Sequence, residues 1–391
     1  TLQNRHADAA SAEWLRNATH LASAAQWLRD VLTVASPYAN DVVAIALDDD
    51  QGAYLDNDTW PAPHWHAYID WLRRTVSSVA GNHVPLFINT YAMRVPSASP
   101  AWAWGNWYQG GSYRMSAHDL ADLDFATGLL QTQPHVPVMQ SEFQAGWFQN
   151  ADEGAPRPSD PSNTTLALNE LLRDGAHAIV NFPAQDTIYP HGWEAPWANW
   201  SYAWDAALTV DLAASRRYSP THVFGDVVRA YGPLLARTHV AADASIIWPP
   251  SLYQPGTLGA DDFAAFADAT TALQRSCNAR ELTCTLVDPS SLRDGSARAN
   301  ALLLPILPST IVAHAMLPQQ AAMLTQLERA HQIFASPSDI PRASGSALPP
   351  GVTLLRADDN SYAFVVAVNA HDSLLRIHAF RVALARRSAA V

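Results

Sequence analysis

Short apolar segments alternate with longer amphipathic segments through residues 1–240, and this alternation constrains the fold more than any other feature of the sequence. Most of the apolar segments lack a polar face and therefore predict strands buried on both sides, as in parallel sheets. The predicted strands are residues 41–48, 84–91, 101–108, 136–142 and 177–183. Around them, apolar residues recur at helical spacing. The predicted helices are residues 12–35, 63–79, 118–130, 163–174 and about 221–237.

The alternation of strands and helices predicts (β/α) barrel units. Five strands are predicted within residues 1–240, whereas a complete (β/α)8 TIM barrel has eight. We therefore expect an α/β protein whose first domain, residues 1–240, is a partial TIM barrel with the last five strands, the earlier strands lying upstream of Thr1. Within it, the helix 163–174 has Asn163 as its expected N-cap and Gly175 just past its end.

The distribution of tryptophan marks a domain boundary, because all 14 tryptophans lie at or before Trp248. We place this boundary near residue 240. Residues 241–345 keep the strand–helix alternation and predict a smaller, doubly wound, flavodoxin-like α/β domain. They lack a G-x-G-x-x-G loop, so we assign no nucleotide to them. Residues 346–391 alternate between polar and apolar positions and predict the start of a C-terminal β-sandwich.

The charge balance excludes several classes of partner. A net charge of −12 argues against nucleic acid, whose phosphates require a basic face. No apolar run approaches the roughly 18 residues of a membrane span, so no membrane partner is expected. Cys277 and Cys284 could pair in an oxidising compartment or remain as two buried thiols, and their spacing does not suit zinc. The cellular location stays open; a periplasmic or secreted protein with its leader upstream is compatible with the sequence.

Two of the predicted strands end in carboxylates. Glu142 closes the strand in residues 136–148 (VPVMQSEFQAGWF), and Asp48, Asp49 and Asp50 follow an earlier strand. A carboxylate beside apolar residues is costly to desolvate, so it is either bound to backbone amides or used in chemistry. Two carboxyl-tipped strands in one α/β chain are what cleavage of a glycosidic bond requires. The acidic run DDDQGAYLDND also permits a calcium interpretation, although it lacks the spacing of a known calcium loop.

Aromatic and polar residues near the other strand ends are candidates for binding a sugar. An indole face stacks on the C–H face of a pyranose, and amide, phenol and carboxylate groups bind sugar hydroxyls. The candidates are Trp102, Trp104, Trp107, Trp147, Trp193, Asn89, Tyr91, Asn106, Asn181 and Glu194. Since tryptophan more often packs in a core, core packing is the alternative for each indole.

These strand ends carry a resemblance to a known family. Residues 41–236 resemble the catalytic barrel of retaining β-galactosidases of glycoside hydrolase families 35 and 42. The nucleophile motif T-E-F/Y…G-W is similar to residues 141–147 (SEFQAGW), and the segment S-Y-D-Y-D-A-P-L is similar to residues 201–208 (SYAWDAAL). The acid/base motif Q-V-E-N-E-Y-G-A-Y is matched by residues 46–54 (ALDDDQGAY), with Asp-Asp-Asp in place of Glu-Asn-Glu.

The resemblance implies a glycosidase that cleaves terminal β-galactosides with retention of configuration. Glu142 is then the nucleophile and Asp50 the general acid/base. Asp49 stands where the family has an amide that holds the sugar 2-hydroxyl. The resemblance also implies an oligosaccharide or glycoside as the bound partner, no cofactor and no metal. Residues 241–345 would be an amidotransferase-like domain that assists the formation of a homo-oligomer.

The aspartate run leaves alternatives open. Adjacent carboxylates raise the pKa of one member, which suits a general acid that must stay protonated. Aspartate is one methylene shorter than glutamate, however, so the same run is compatible with a catalytically degenerate protein that binds carbohydrate or assists assembly. A metal-dependent hydrolase is a third interpretation.

Overall fold

A computed structural model provides the structure of the chain and describes part of its residues. These are residues 17–47, 62–81, 84–87, 117–132, 137–143, 160–190, 201–248, 260–280, 282–288, 301–303, 322, 325, 333–334, 336–340, 348, 351–368, 375–377, 382–384 and 389–390. The predicted strand at 101–108 lies outside them.

The described residues form six α-helices and sixteen short strands. The helices are α1 (Ala18–Ala35), α2 (Ala62–Ala80), α3 (Ala117–Gln131), α4 (Ser162–Arg173), α5 (Tyr218–Leu235) and α6 (Ala260–Ala279). The strands are β1 (Ile45–Ala46), β2 (Leu86–Phe87), β3 (Met139–Phe143), β4 (Ala178–Asn181), β5 (Thr187–Ile188), β6 (Ser201–Tyr202), β7 (Thr238–Val240), β8 (Ala244–Ile247), β9 (Cys284–Val287), β10 (Ala301–Leu303), β11 (Ile333–Phe334), β12 (Val352–Ala357), β13 (Ala363–Val368), β14 (Leu375–Ile377), β15 (Val382–Leu384) and β16 (Ala389–Ala390). Turns of 3-10 helix lie at Ser36–Asp41 and Pro337–Asp339.

The first part of the chain contains two strand–helix–strand units. In one of them, β1 and β2 pair in parallel on either side of α2 in the sequence. In the other, β3 and β4 pair in parallel around α4. Parallel neighbours require a crossover connection, usually a helix, and these units satisfy that rule. The expected order of strand, helix and strand is therefore present in these two units. The expected burial of both strand faces is wrong for β1 and β4, since Ala46 is exposed and Val180 is 49% exposed.

The middle part of the chain forms a parallel sheet in the order β11-β10-β8-β9. Read from the other edge, this order is second, first, third and fourth in chain position, as in flavodoxin-like sheets. Residues 244–247 of β8 are all buried, as expected for a central strand. Cys277 and Cys284 form a disulfide between α6 and β9, which decides between the two alternatives that the sequence left open.

The last part of the chain forms an antiparallel sheet in the order β16-β13-β12-β7, beside a hairpin of β14 and β15. β7 pairs with β12 through Val240 and Leu355. The sheet therefore includes a strand that precedes the boundary expected near residue 240. The three domains, with boundaries at 240 and 345, stay a prediction.

Helix α4 is the centre of one hydrophobic core. Its residues Leu166, Leu168 and Leu171 are at most 1% exposed. They belong to a buried cluster with Phe143 of β3 and Val366 of β13. Helix α4 therefore lies between the β3–β4 pair and the antiparallel sheet. It packs against the face of β3 that carries Phe143.

Two further cores complete the packing of the described residues. Phe125 and Leu129 of α3 pack against Trp248, which contacts Phe266 of α6 at a ring-centroid distance of 4.4 Å. Helix α3 therefore packs on the parallel sheet. The helices α1 and α2 pack with β1 and β2 around Ile69, which is 1% exposed.

The ends of α4 follow local rules, with one correction. Asn163 is not the N-cap: it lies inside the helix and is 5% exposed, and the Asp160 carboxylate accepts the backbone N–H of Ser162 at 2.9 Å. Aspartate and asparagine cap helices about equally well, and here Asp160, which precedes the helix, provides the side-chain acceptor that was expected from Asn163. Gly175 does follow the helix, with φ at +80°, and its N–H donates to the Leu172 carbonyl oxygen in the manner of a Schellman motif.

None of the helices within the described ranges has both the length and the apolar character that crossing a membrane requires.

Candidate functional site

The β3–β4 pair brings two of the predicted site residues to one edge of a sheet. Phe143 pairs with Asn181 in the parallel register, so Glu142 and Asn181 lie at the carboxyl ends of adjacent strands. In parallel α/β folds, and above all in TIM barrels, catalytic residues lie at this edge. The position of both residues is what the sequence pattern suggested.

The register places the two side chains on different faces of the pair. Asn181 is the partner of Phe143, and paired residues of parallel strands share a face. Phe143 packs in the core around α4 and is 2% exposed. Glu142 is its neighbour in the strand and therefore belongs to the opposite face, away from the helix layer, where it is half-buried. In a barrel that face is the interior.

A β-bulge lies at Glu142 itself. Gln140 pairs with Ile179 and Phe143 pairs with Asn181, so two residues of β3, Ser141 and Glu142, stand opposite one residue of β4. Bulges bend a strand, increase its twist and re-aim a side chain, and they are common next to active sites. The bulge distinguishes Glu142 from an ordinary strand-end carboxylate, for which no change of register is needed.

Gln140 supports the bulge from within, and the sequence analysis missed it. Its side chain is buried at 3% exposure, and Nε2 donates to the carbonyl oxygen of Glu142 at 3.1 Å. A bulge leaves backbone groups without their ladder partners. Gln140 supplies a donor to one of these groups and is thus a positioning residue for Glu142. The available signal was a lone amide directly after the apolar run VPVM, residues 136–139.

His177 fixes the same two strands at their amino ends. Its ring Nδ1 accepts a hydrogen bond from the backbone N–H of Val138 at 3.2 Å. The backbone N–H of His177 donates to the carbonyl oxygen of Val138 at 2.7 Å. Burial lowers the pKa of the His177 imidazole. A neutral ring is required for Nδ1 to act as an acceptor, so the lowered pKa and the hydrogen bond support each other.

Asn181 has an unusual environment. Its Oδ1 is buried, and no donor for it lies within the described part of the chain. A buried amide oxygen without a donor costs about 1–3 kcal/mol. A hydroxyl-bearing ligand at this edge would supply a donor if the side chain turned toward it.

The segment 201–208, which carries part of the family resemblance, packs beside the end of β4. The Asp186 carboxylate accepts the backbone N–H of Trp204 at 2.6 Å and that of Ala206 at 3.2 Å. Trp204 contacts Phe182 edge to face at a centroid distance of 5.7 Å. These contacts fix residues 201–208 beside Phe182, the residue that follows Asn181 in the chain.

Charged groups attach this segment to α4. Asp205 has a φ of +56° and binds both Arg216 and Arg217. Arg217 is fully buried, and its Nη1 donates to Thr164 Oγ1 on α4 at 2.7 Å. Burial lowers the pKa of the Arg217 guanidinium, while Asp205 raises it. The Asp205–Arg217 ion pair and the Arg217–Thr164 hydrogen bond therefore attach residues 201–208 to α4.

The remaining predicted site residues lie outside the described residues. They are Asp50, Asp49, Asn89, Tyr91, Trp102, Trp104, Asn106, Trp107, Trp147, Trp193 and Glu194. The pairing of Glu142 with Asp50 therefore stays a prediction.

Comparison with solved structures finds glycoside hydrolases. An exo-β-1,4-mannosidase from Opitutaceae bacterium strain TAV5 aligns over 90% of this chain and 65% of its own, at a TM-score of 0.55 and 11% identity. A cold-adapted β-galactosidase from Rahnella sp. R3 aligns over 83% of this chain and 46% of its own, at 0.51 and 13%. An exo-carrageenase from Bacteroides ovatus aligns over 86% and 55%, at 0.51 and 9% identity.

The chain spans less than two thirds of the length of each of these enzymes. At such identities the likeness shows the fold alone: a mixed α/β fold shared with these glycoside hydrolases. No family model matches the sequence, and no curated protein does.

Proposed function

We propose that this protein is a glycoside hydrolase that cleaves terminal β-galactosides, or a related β-glycoside, with retention of configuration. One observation carries the proposal: Glu142 lies in a β-bulge at the carboxyl edge of a parallel strand, on the face away from the helices. The shared fold of solved glycosidases supports the same interpretation. Under this proposal residues 1–240 are the C-terminal part of the barrel, and residues 241–345 and 346–391 are accessory domains.

The proposed mechanism is double displacement. The Glu142 carboxylate attacks the anomeric carbon and forms a covalent glycosyl ester, while Asp50 gives its proton to the departing glycosidic oxygen. Asp50 then accepts a proton from a water molecule as the water oxygen attacks the anomeric carbon and displaces the Glu142 carboxylate. Neither of these two steps requires a cofactor. Gln140 contributes by holding the Glu142 backbone through its carbonyl oxygen.

The predicted binding residues have supporting roles in this proposal. Asp49 would contact the sugar near its 2-hydroxyl, and the predicted indoles would stack on its apolar face. A glycoside or oligosaccharide is therefore the proposed partner, and assembly into a homo-oligomer through residues 241–345 is the accompanying proposal.

The alternative function is carbohydrate binding without turnover. The observation that favours it is the run Asp48-Asp49-Asp50 where the similar family has Glu-Asn-Glu. An aspartate draws its carboxyl oxygens back by about one bond length, and proton donation depends on reach. Loss of that reach would leave a cleft that still binds sugars.

Azide rescue separates the two functions. The purified protein is tested with an aryl β-galactoside that has a good leaving group, which hardly requires an acid. We expect turnover, its loss in Glu142→Gly, and its partial return with azide as an α-glycosyl azide. Asp50→Ala should still form the glycosyl ester from the aryl substrate, with a burst of released phenol, and should lose far more of its activity on natural glycosides.

The matched control is Asp226→Asn on the exposed surface of α5, which should leave turnover unchanged. Turnover by Glu142→Gly equal to that of the parent protein would rule out Glu142 as nucleophile. Sugar binding by the parent without turnover of the aryl substrate would select the alternative.

A further inference from the structure

A groove with a volume of about 470 Å³ lies between α4 and α5. This volume is within the range of roughly 300–1,000 Å³ that is typical of sites for small molecules. Helix α4 packs on the face of β3 that carries Phe143, and the Glu142 side chain belongs to the opposite face. The groove is therefore on the helix side of the strands and separate from Glu142.

The α4 side of the groove is polar. It consists of Ser162, Thr165 and Asn169, whose spacing of three and four residues places them on one face of the helix. The Asn169 Nδ2 donates to the carbonyl oxygen of Thr165 at 2.7 Å, which leaves the Oδ1 of this amide as an acceptor for another group. The Ser162 Oγ is buried and has no hydrogen-bond partner among the described residues. This side therefore carries two hydroxyls and an amide that a ligand can use.

The α5 side of the groove is apolar and includes an aromatic ring. Val223, Val227 and Tyr231 follow one another at a spacing of four residues and line the groove. Val223 is 58% exposed and Tyr231 is 46% exposed. The ring of Tyr231 contacts that of Phe364 edge to face at a centroid distance of 5.8 Å, which fixes its position. A row of exposed apolar side chains with polar neighbours is typical of a binding surface.

The charge around the groove favours a neutral ligand. Of the residues that line it in the described part of the chain, Arg216 is the charged one. Its guanidinium is bound to the Asp205 carboxylate through both Nε and Nη2. The positive charge of Arg216 is thus already compensated, and an anionic ligand would have to compete with Asp205 for it.

We propose that this groove is a second carbohydrate-binding site, which holds a neutral oligosaccharide away from Glu142. The choice of a sugar as ligand rests on the proposed function. A pyranose carries hydroxyls around its rim and C–H groups on its faces, so it fits both sides at once. Its hydroxyls would bind Thr165 and Asn169, and its apolar face would pack on Tyr231. An apolar peptide would instead bury the polar groups of α4 without partners, which is unfavourable.

The position of the groove indicates what the site would do. Because the groove and Glu142 lie on different sides of β3, one long carbohydrate chain or two separate chains can occupy both sites. Binding at the groove makes the second binding event intramolecular and raises the local concentration of substrate. We therefore assign the groove a role in retaining polymeric substrates on the protein.

Electrophoresis in native gels that contain a soluble polysaccharide tests this site. The probes are β-1,4-galactan and β-1,4-mannan, each over a range of concentrations, so that retardation gives a dissociation constant. At least one of them should retard the parent protein and Glu142→Gly alike. Tyr231→Ala should bind that polysaccharide roughly tenfold more weakly, because the sugar loses its apolar contact. Thr165→Val, which keeps the shape of the side chain and removes its hydroxyl, should weaken binding by about threefold.

The matched control is Tyr218→Ala. Tyr218 is 40% exposed on the same helix and also has one ring contact, with His222, but it is not among the residues that line the groove. This variant should be retarded like the parent. Retardation of the parent by neither polysaccharide would overturn the proposal, as would equal dissociation constants for Tyr231→Ala and Tyr218→Ala.

The same gels separate this proposal from the proposed function. Turnover of the aryl galactoside together with retardation that does not depend on Tyr231 would reject the groove and leave the glycosidase standing. Retardation that depends on Tyr231, without turnover by the parent, would support the groove and reject the glycosidase.

Discussion

Two of the described ion pairs differ in burial and in the number of carboxylates that the arginine contacts, and replacing the arginine of each gives a direct test of the buried cluster around Arg173. Arg173 binds Glu170 at 2.7 Å on α4, and Arg229 binds Asp226 at 2.7 Å on α5. Both pairs join residues three apart in a helix. The side chain of Arg173 is 14% exposed, whereas that of Arg229 is 75% exposed. Arginine and methionine have similar helix propensities, so Arg173→Met and Arg229→Met are matched substitutions.

The expected costs differ by several kcal/mol. Arg173→Met leaves the carboxylates of Asp124, Glu170 and Asp174, which are 3–16% exposed, without their cation. Removal of one partner from a buried ion pair costs about 3–5 kcal/mol of the free energy of unfolding, because the remaining charge is left in a poorly solvated site. Arg229→Met removes an exposed helical pair and should cost about 0.5 kcal/mol or less.

The cost of Arg173→Met should also depend on pH. The folded-state pKa values of Glu170 and Asp174 lie above the ordinary values of 4.5 and 3.8 because of burial. The folded state then holds protons that the unfolded state releases, so this stabilisation is complete below the ordinary values and is lost as pH rises through the folded values. Arg173 lowers both pKa values, and its loss raises them further. The deficit of Arg173→Met should therefore be small near pH 4 and largest near pH 8.

Urea unfolding followed by tryptophan fluorescence measures these differences. The series is run at several pH values for the parent and both variants, with comparison of midpoints and m-values. Costs of Arg173→Met and Arg229→Met that agree within about 0.5 kcal/mol at pH 8 would refute the reasoning. A deficit that shrinks with rising pH would show that the carboxylates are not penalised by burial.

Two further predictions concern stability. In the same urea series, the stability of Glu170→Gln should match that of the parent near pH 4 and exceed it near pH 8, because the substitution removes a carboxyl group whose pKa is raised by burial. A loss of stability near pH 8 would contradict this. Gly351 has a φ of +76°, and a Cβ there would lie 2.4 Å from the Val368 carbonyl oxygen, so Gly351→Ala should cost more than about 2 kcal/mol. Gly225→Ala on α5 meets no atom within 4 Å and should instead add about 0.5–1 kcal/mol, so thermal shifts of the same sign would contradict the pair of predictions.

Much of the local structure follows from the sequence because it depends on near neighbours. Burial on both faces of a strand and on one face of a helix sets the period of apolar residues, and these periods located α2, α3 and β4 to within a few residues. Gly175 marked the end of α4 because the left-handed conformation there favours glycine. Glu142 was found in the same way, as a carboxylate at the end of an apolar strand. Its nucleophilic role was suggested by the resemblance and stays a prediction.

Other features depend on residues that are far apart in the chain, and only the tertiary structure decided them. The bulge at Glu142 depends on the register of β3 and β4, in which Gln140 pairs with Ile179 and Phe143 pairs with Asn181. The pairing of β7 with β12 crosses the boundary that tryptophan content suggested. The acidic cluster joins Asp124 to Glu170 and Asp174 through the packing of two helices. Sequence spacing records which side chains share an element, but the register of strands and the contact of helices are set by the whole packed core, where each fit depends on every other.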